Sequence, residues 1–173
     1  MAIGKREMRI KKVVVKKSVK RKKTIAGRLK NGTLTVLAPQ DISDKQLQKV
    51  IENFKIRFEK RHKKQVLNRG NELPKRAEML NKKYFNGELY FNKISYSVDQ
   101  KKKLGVCYSD TKTILINACL KDMPQWVEDY VIVHELAHLK HPNHSKDFWK
   151  AVRKYPKTER AIGYLLAKGI EEK

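Results

Sequence analysis

Cysteine is scarce in this chain: Cys107 and Cys119 are the only two in 173 residues, and they form no CxxC pair. A small disulfide-stapled secreted scaffold carries more, so reduced thiols in a cytoplasmic protein are expected. Long hydrophobic runs are missing too. No apolar stretch approaches the roughly 18 residues of a membrane span, and Val13-Val14-Val15 is far too short for a signal-peptide core. No membrane partner is therefore expected. Neither a glycine-rich phosphate loop nor an internal repeat can be found among the 173 residues. The most uneven shortage is of acid. Thirteen basic side chains in the first thirty residues face Glu7 alone, so about half of the formal charge of +23 sits in that stretch. Charge concentrated in this way attracts polyanions, and DNA or RNA is the expected partner of the N-terminal part.

The remaining composition is that of a globular chain with one sizeable core, 40% hydrophobic and 34% charged. Met8 to Val19 alternates basic residues with Ile10, Val13, Val15 and Val19, as a strand with a charged face does. Thr24–Leu29 and Thr33–Leu37 flank Asn31-Gly32, a pair that accepts the positive φ of a type I′ hairpin turn. A small, very basic antiparallel hairpin or sheet is expected over residues 1–40. Residues 41–173 are expected to hold the helical and catalytic part, the two forming one compact unit. Ser43 with Gln46 caps a long helix whose apolar positions are Leu47, Val50, Ile51, Phe54 and Phe58. A second helix starts near Pro74 and stops at Asn86-Gly87. Three short strands follow, at Lys93–Val98, Leu104–Tyr108 and Thr113–Asn117. Pro124 then opens a helix broken at Pro142-Asn143, Ser145 caps another, and Thr158–Lys168 is the last.

The chemistry lies in Val131–Trp149, VIVHELAHLKHPNHSKDFW. His134 and His138, four apart on a helix, share a face and can reach one metal ion. Glu135 stands beside that ion as a general base. Val127, Tyr130 and Val131 lead into the same stripe, so the metal-binding face grows out of a core-facing one. Zinc needs a third protein ligand, and His141, His144 and Glu159 are the candidates. His141 lies on the same stripe, roughly 10 Å further along the axis, too far to share an ion with His134 on a straight helix. It reads as a group beside the metal. His144 lies past the Pro142-Asn143 bend and can return from another side, so geometry favours it, with Glu159 and His141 still open. Phe148 reads as core, Trp149 as core or substrate platform, and Cys107 as a small buried hydrophobe.

These residues resemble the YgjP-like (WLM-related) metallopeptidase family, relatives of the SprT and Spartan-type zinc proteases. The likeness rests on Gly105-x-Cys107, Ile114–Asn117, the His134-Glu135-Leu136-x-His138-Leu139 helix with Tyr130-Val131 before it, and Asn143-His144-Ser145 with Phe148-Trp149. It spans about residues 20–170 and is most specific in the last third. The resemblance implies that His134, His138 and His144 bind Zn2+ and that Glu135 is catalytic. It also implies a zincin-like arrangement with substrate pairing along an edge strand, for which Ile114–Asn117 is the candidate. Where family members commonly carry Trp-Gly-Ser-Cys, this chain has Leu104-Gly105-Val106-Cys107, which alters the pocket wall.

The expectation is an α+β zinc metallopeptidase that cleaves peptide bonds with a metal-activated water and a glutamate base, recruited to nucleic acid by its basic N-terminal part. Two rivals remain: a metal-dependent hydrolase of nucleotides or phosphoanhydrides, and a non-enzymatic nucleic-acid-binding module stabilised by zinc.

Overall fold

A computed structural model describes residues 10–100 and 102–170. The chain divides into two compact units, Met1–Lys63 and Lys64–Lys173. No described helix is long and apolar enough to cross a membrane.

The first unit contains strands β1 (Lys12–Ser18), β2 (Ala26–Lys30) and β3 (Thr33–Pro39) and most of helix α1 (Asp44–Leu67), whose last turn lies past Lys63. Asn31 and Gly32 take φ values of 50° and 75°, so the turn between β2 and β3 is of the left-handed kind that an Asn-Gly pair favours. The hairpin is antiparallel as expected. β1 differs: it pairs with the far side of β3 and runs parallel to it, giving the order β1-β3-β2. A seven-residue connection carries the chain past the end of β3, which puts the last strand in the middle. The start of the expected strand, at Met8 and Arg9, lies outside the described residues. One face of the sheet is apolar. Leu34, Val36 and Ala38 of β3 pack with Leu47, Ile51 and Phe54 of α1 into a separate small core. Ser43 caps α1 by accepting from the Gln46 N–H at 3.3 Å.

The second unit contains α2 (Glu72–Phe85), β4 (Lys93–Ser97), β5 (Gly105–Tyr108), β6 (Thr113–Asn117), a 3-10 turn (Ala118–Asp122) that the periodicity did not foreshadow, α3 (Gln125–Ala137), α4 (Lys146–Val152) and α5 (Thr158–Ala167). Its sheet repeats the topology of the first, with order β4-β6-β5, β4 parallel and β5 antiparallel to the last-formed strand. Ile114 and Ile116 of β6 are fully buried. This placement corrects one expectation. β6 has partners along both sides, so Ile114–Asn117 offers no free edge to a substrate. Among the described residues, β5 pairs on one side only.

α3 is the axis of the unit. The sequence suggests an apolar stripe, yet every residue from Val127 to Ala137 is buried. The helix packs against α2, α4, α5, β5 and β6. Such a helix has no solvent face for its polar residues, so each one needs a partner. Glu128 accepts from the Tyr96 hydroxyl at 2.6 Å and from Gln125 Nε2 at 2.8 Å, with Lys121 Nζ at 3.8 Å. Asp129 accepts from both arms of the Arg76 guanidinium, the Nε bond being 2.7 Å long. Both acids lie in the first turns, where the helix dipole favours negative charge.

Arg76→Ala removes the partner of a nearly buried carboxylate. Because Arg76 itself is about one-third exposed, a loss of about 2 kcal/mol is expected rather than the full cost of a broken buried pair. It will appear as a lower urea midpoint at unchanged slope. A midpoint that does not move would show that α3 is not anchored by this contact.

Candidate metal centre

The two helices that meet at the site are ended and started by local chemistry. α3 stops at Ala137, and His138 caps it with right-handed helical φ and ψ. Pro142 has no N–H to extend a helix, and Ser145 starts α4 by accepting from the Phe148 N–H at 3.3 Å. The short bend returns His144 towards α3. As a result three imidazole nitrogens converge: His144 Nε2 lies 3.1 Å from His134 Nε2 and 3.2 Å from His138 Nε2, and the last two are 3.2 Å apart.

A zinc ion bound to three imidazoles at 2.0–2.1 Å and tetrahedral angles would set their nitrogens roughly 3.3 Å apart, so the triad matches that requirement. The imidazole chemistry fits too. His138 Nδ1 is 3.0 Å from the His141 carbonyl, which can only accept, so the proton sits on Nδ1 and the lone pair of Nε2 faces the centre. His141 thus contributes its backbone oxygen rather than its ring. Glu159 is elsewhere, ion-paired with Arg153 at 3.0 Å. Burial, and then the neighbouring His138 and His144, push His134 down to about 3. His138 is also lowered, mainly by burial and against the raising effect of the His141 carbonyl. Neutral rings are the form that binds a metal.

Phe148 is the floor of the cluster. Fully buried, its ring centroid lies 4.8, 4.5 and 4.7 Å from those of His134, His138 and His144. The expectation of a core role holds, with the addition that this core residue touches all three imidazoles. Trp149, half-buried, lies 5.7 Å from His144 and under the Arg153 guanidinium.

Glu135 is 5% exposed, at the wall of an open cleft of about 470 Å³ that the triad also lines. Gly105, Val106 and Cys107 of β5 line the same cleft, as do the exposed Lys102 and Lys103. Leu104 also borders the cleft and packs into the hydrophobic core. Asn117 holds this stretch in place: its Nδ2 donates to the Lys103 carbonyl at 2.9 Å and its N–H to the Leu104 carbonyl at 2.7 Å. Cys107 is half-buried rather than fully buried, and burial, with the nearby Glu135 charge, raises its thiol to about 11. It therefore stays protonated near neutrality, a poor ligand and nucleophile.

Gly105 matters more than its motif position suggests. A Cβ added there would stand 2.3 Å from Glu135 Oε1 and 2.6 Å from its Cδ, closer than atoms can approach. The carboxylate lies directly on the glycine backbone. A glycine inside a strand signals close approach of this kind, but it does not say what approaches.

The site falls within a stretch of the chain that is similar to a known sequence family. Residues 92–165 match the YgjP-like metallopeptidase domain. The resemblance read from the motifs is thereby borne out over that stretch. No curated protein sequence matches the chain. Among solved structures, the metallopeptidase zymogen of Pyrococcus abyssi abylysin is similar at a TM-score of 0.47 and 19% identity, over 55% of this chain and 92% of that one.

Two outcomes are expected. Gly105→Ala displaces the Glu135 carboxylate; with Glu135 as the reacting base it lowers peptide hydrolysis about a hundredfold or more and leaves metal content unchanged, since misplacing a reacting group by about 1 Å costs that much. Metal analysis beside turnover of a denatured protein checks this, and unimpaired turnover would refute it. In chelator-treated protein, acid destabilises. Between about 6.5 and about 3 the unfolded chain takes up a proton that folded His134 refuses. The unfolded state binds more protons in that window, so stability rises with pH across it and is lost as pH falls. Melting temperatures measured at several pH values check the sign.

Proposed function

We propose that the protein is a zinc-dependent peptidase of the HExxH type, with His134, His138 and His144 as ligands and Glu135 as general base. The convergence of three Nε2 atoms at 3.1–3.2 Å beside a buried glutamate in an open cleft supports this reading above all else. A zinc ion there supplies Lewis-acid polarisation of a peptide carbonyl and a lowered pKa for water. The rest falls to the chain. Glu135 takes the proton of the attacking water and returns it to the leaving amine. Its seat on Gly105 limits where the carboxylate can swing. The one-sided pairing of β5 suits an extended peptide, which would hydrogen-bond along Gly105–Tyr108 and cross the cleft in front of the triad.

The reading also includes a cytoplasmic setting, supported by two free cysteines. Residues 1–40 form its recruiting part, for nucleic acid, and residues 41–173 hold all the proposed catalytic groups. The charge of the first thirty residues supports recruitment.

Glu135→Gln is expected to lower kcat on casein by about 10²- to 10⁴-fold with zinc still bound at wild-type stoichiometry, whereas His144→Ala lowers zinc content itself. Parallel assays with nucleoside triphosphates, with and without chelator, separate peptide from phosphoanhydride hydrolysis. Full activity in Glu135→Gln would overturn the proposed role of this residue. Chelator-sensitive cleavage of triphosphates alone would overturn the peptidase reading.

A further inference from the structure

The pairing register of the first sheet sorts its charges. Residues opposite one another on neighbouring strands point to the same face. Lys12 is opposite Thr33, and Val14 opposite Thr35; Arg28 is opposite Thr35 and Lys30 opposite Thr33. Lys16 continues the first row opposite Leu37. One face therefore reads Lys12, Val14, Lys16 on one side, Thr33, Thr35, Leu37 down the middle, and Arg28 with Lys30 on the other. The opposite face is the apolar one that packs on α1. It is marked there by Gly27, where a Cβ would stand 2.9 Å from the Phe54 ring.

Lys12, Lys16, Arg28 and Lys30 are exposed. The three strands contain no acidic and no aromatic residue, and the first carboxylate after Glu7 is Asp41. The connection from β1 to β2 adds exposed Lys20, Lys22 and Lys23. On strand geometry the four sheet cations cover about 10 by 13 Å. A solvated charged face needs no such arrangement: counter-charges could be interspersed at no cost to the fold, as they are along α1, where Glu52 pairs with Lys55.

We infer that this open face of β1-β3-β2 is a nucleic-acid-binding surface that grips the sugar–phosphate backbone. The inference rests on the recruitment part of the proposed function and assigns it to named residues. Lys12, Lys16, Arg28 and Lys30 neutralise phosphates, and the Thr33 and Thr35 hydroxyls between them are of the type that donates to phosphate oxygens. With no aromatic side chain on the strands there is no platform for stacking bases, so the surface is indifferent to sequence and accepts duplex.

The test uses the full-length protein and a random-sequence DNA duplex, titrated over a range of salt. Wild type is compared with K12Q/K16Q/R28Q/K30Q and with the control K75Q/K82Q/K83Q/K150Q, which removes the same charge from exposed positions in the second unit. The sheet variant is expected to lose between three and four units of the slope of log affinity against log salt, at about 0.9 per phosphate contact, and about a hundredfold or more in affinity near 0.1 M salt. The control changes the slope by less than about one unit. Should the fourfold variant fail to melt cooperatively, K12Q/K16Q is used, with an expected slope loss of about two units. Equal losses in both variants, or an unchanged slope in the sheet variant, would overturn the assignment while leaving recruitment standing. Wild-type protein that does not bind duplex at low salt would end both. If the sheet variant loses phosphatidylserine vesicles but keeps DNA, the face belongs to a membrane surface and the inference is wrong. None of these outcomes depends on hydrolysis, so the peptidase reading stands or falls separately.

Discussion

Burial of α3 on every side is the constraint that the second unit is built around. A helix with eleven consecutive buried residues gains much apolar contact but forfeits water for its polar groups. The molecule satisfies them in two different ways at the two ends. At the N-terminal end Glu128 and Asp129 are held by Gln125 of the same helix and by Tyr96, Lys121 and Arg76, drawn from β4, the 3-10 turn and α2. At the other end His134 and Glu135 open into a cleft, and the imidazole nitrogens converge on a point where a cation would satisfy them. The same helix is therefore anchored by ion pairing at one end and carries candidate metal ligands at the other.

That constraint also accounts for the precision of the site. Side chains on a helix packed from all sides have few rotamers available, and Phe148 closes the remaining freedom by touching all three rings. The His141 carbonyl then selects the tautomer of His138. Gly105 sets the distance between β5 and α3, because any side chain there would occupy the volume of the Glu135 carboxylate. A strand edge, a buried glutamate and a cluster of three imidazoles are brought within one cleft by three contacts, none of which involves a charged surface residue.

The two units share a chain path, in which a first strand is followed by a hairpin whose second strand inserts beside it. In each case the central strand carries fully buried side chains, Leu34 and Val36 in one and Ile114 and Ile116 in the other. Such an order is invisible to local patterning. Alternation marks a strand's faces, and Asn31-Gly32 marks a turn, but neither says on which side of the hairpin the preceding strand will lie. This is why the parallel pairing of β1 and the interior position of β6 had to be seen. The helices were more legible, since Ser43, Asn86, Pro124 and Ser145 punctuate them by local hydrogen bonding and backbone preference that act within a few residues.

By itself the sequence determined the candidate ligand types, their i and i+4 spacing, the candidate base between them, the bend that permits a third histidine to return, and the concentration of positive charge at one end. Those properties follow from short-range geometry and composition, which the order of residues states outright. Only the tertiary structure decided that His144 reaches the other two rings, that His141 offers its carbonyl, that Glu135 lies on Gly105, and that four cations share one sheet face. Each of these is a contact or alignment between segments separated along the chain, set by which surfaces bury against each other. Distance in space is the one quantity that spacing in sequence does not encode.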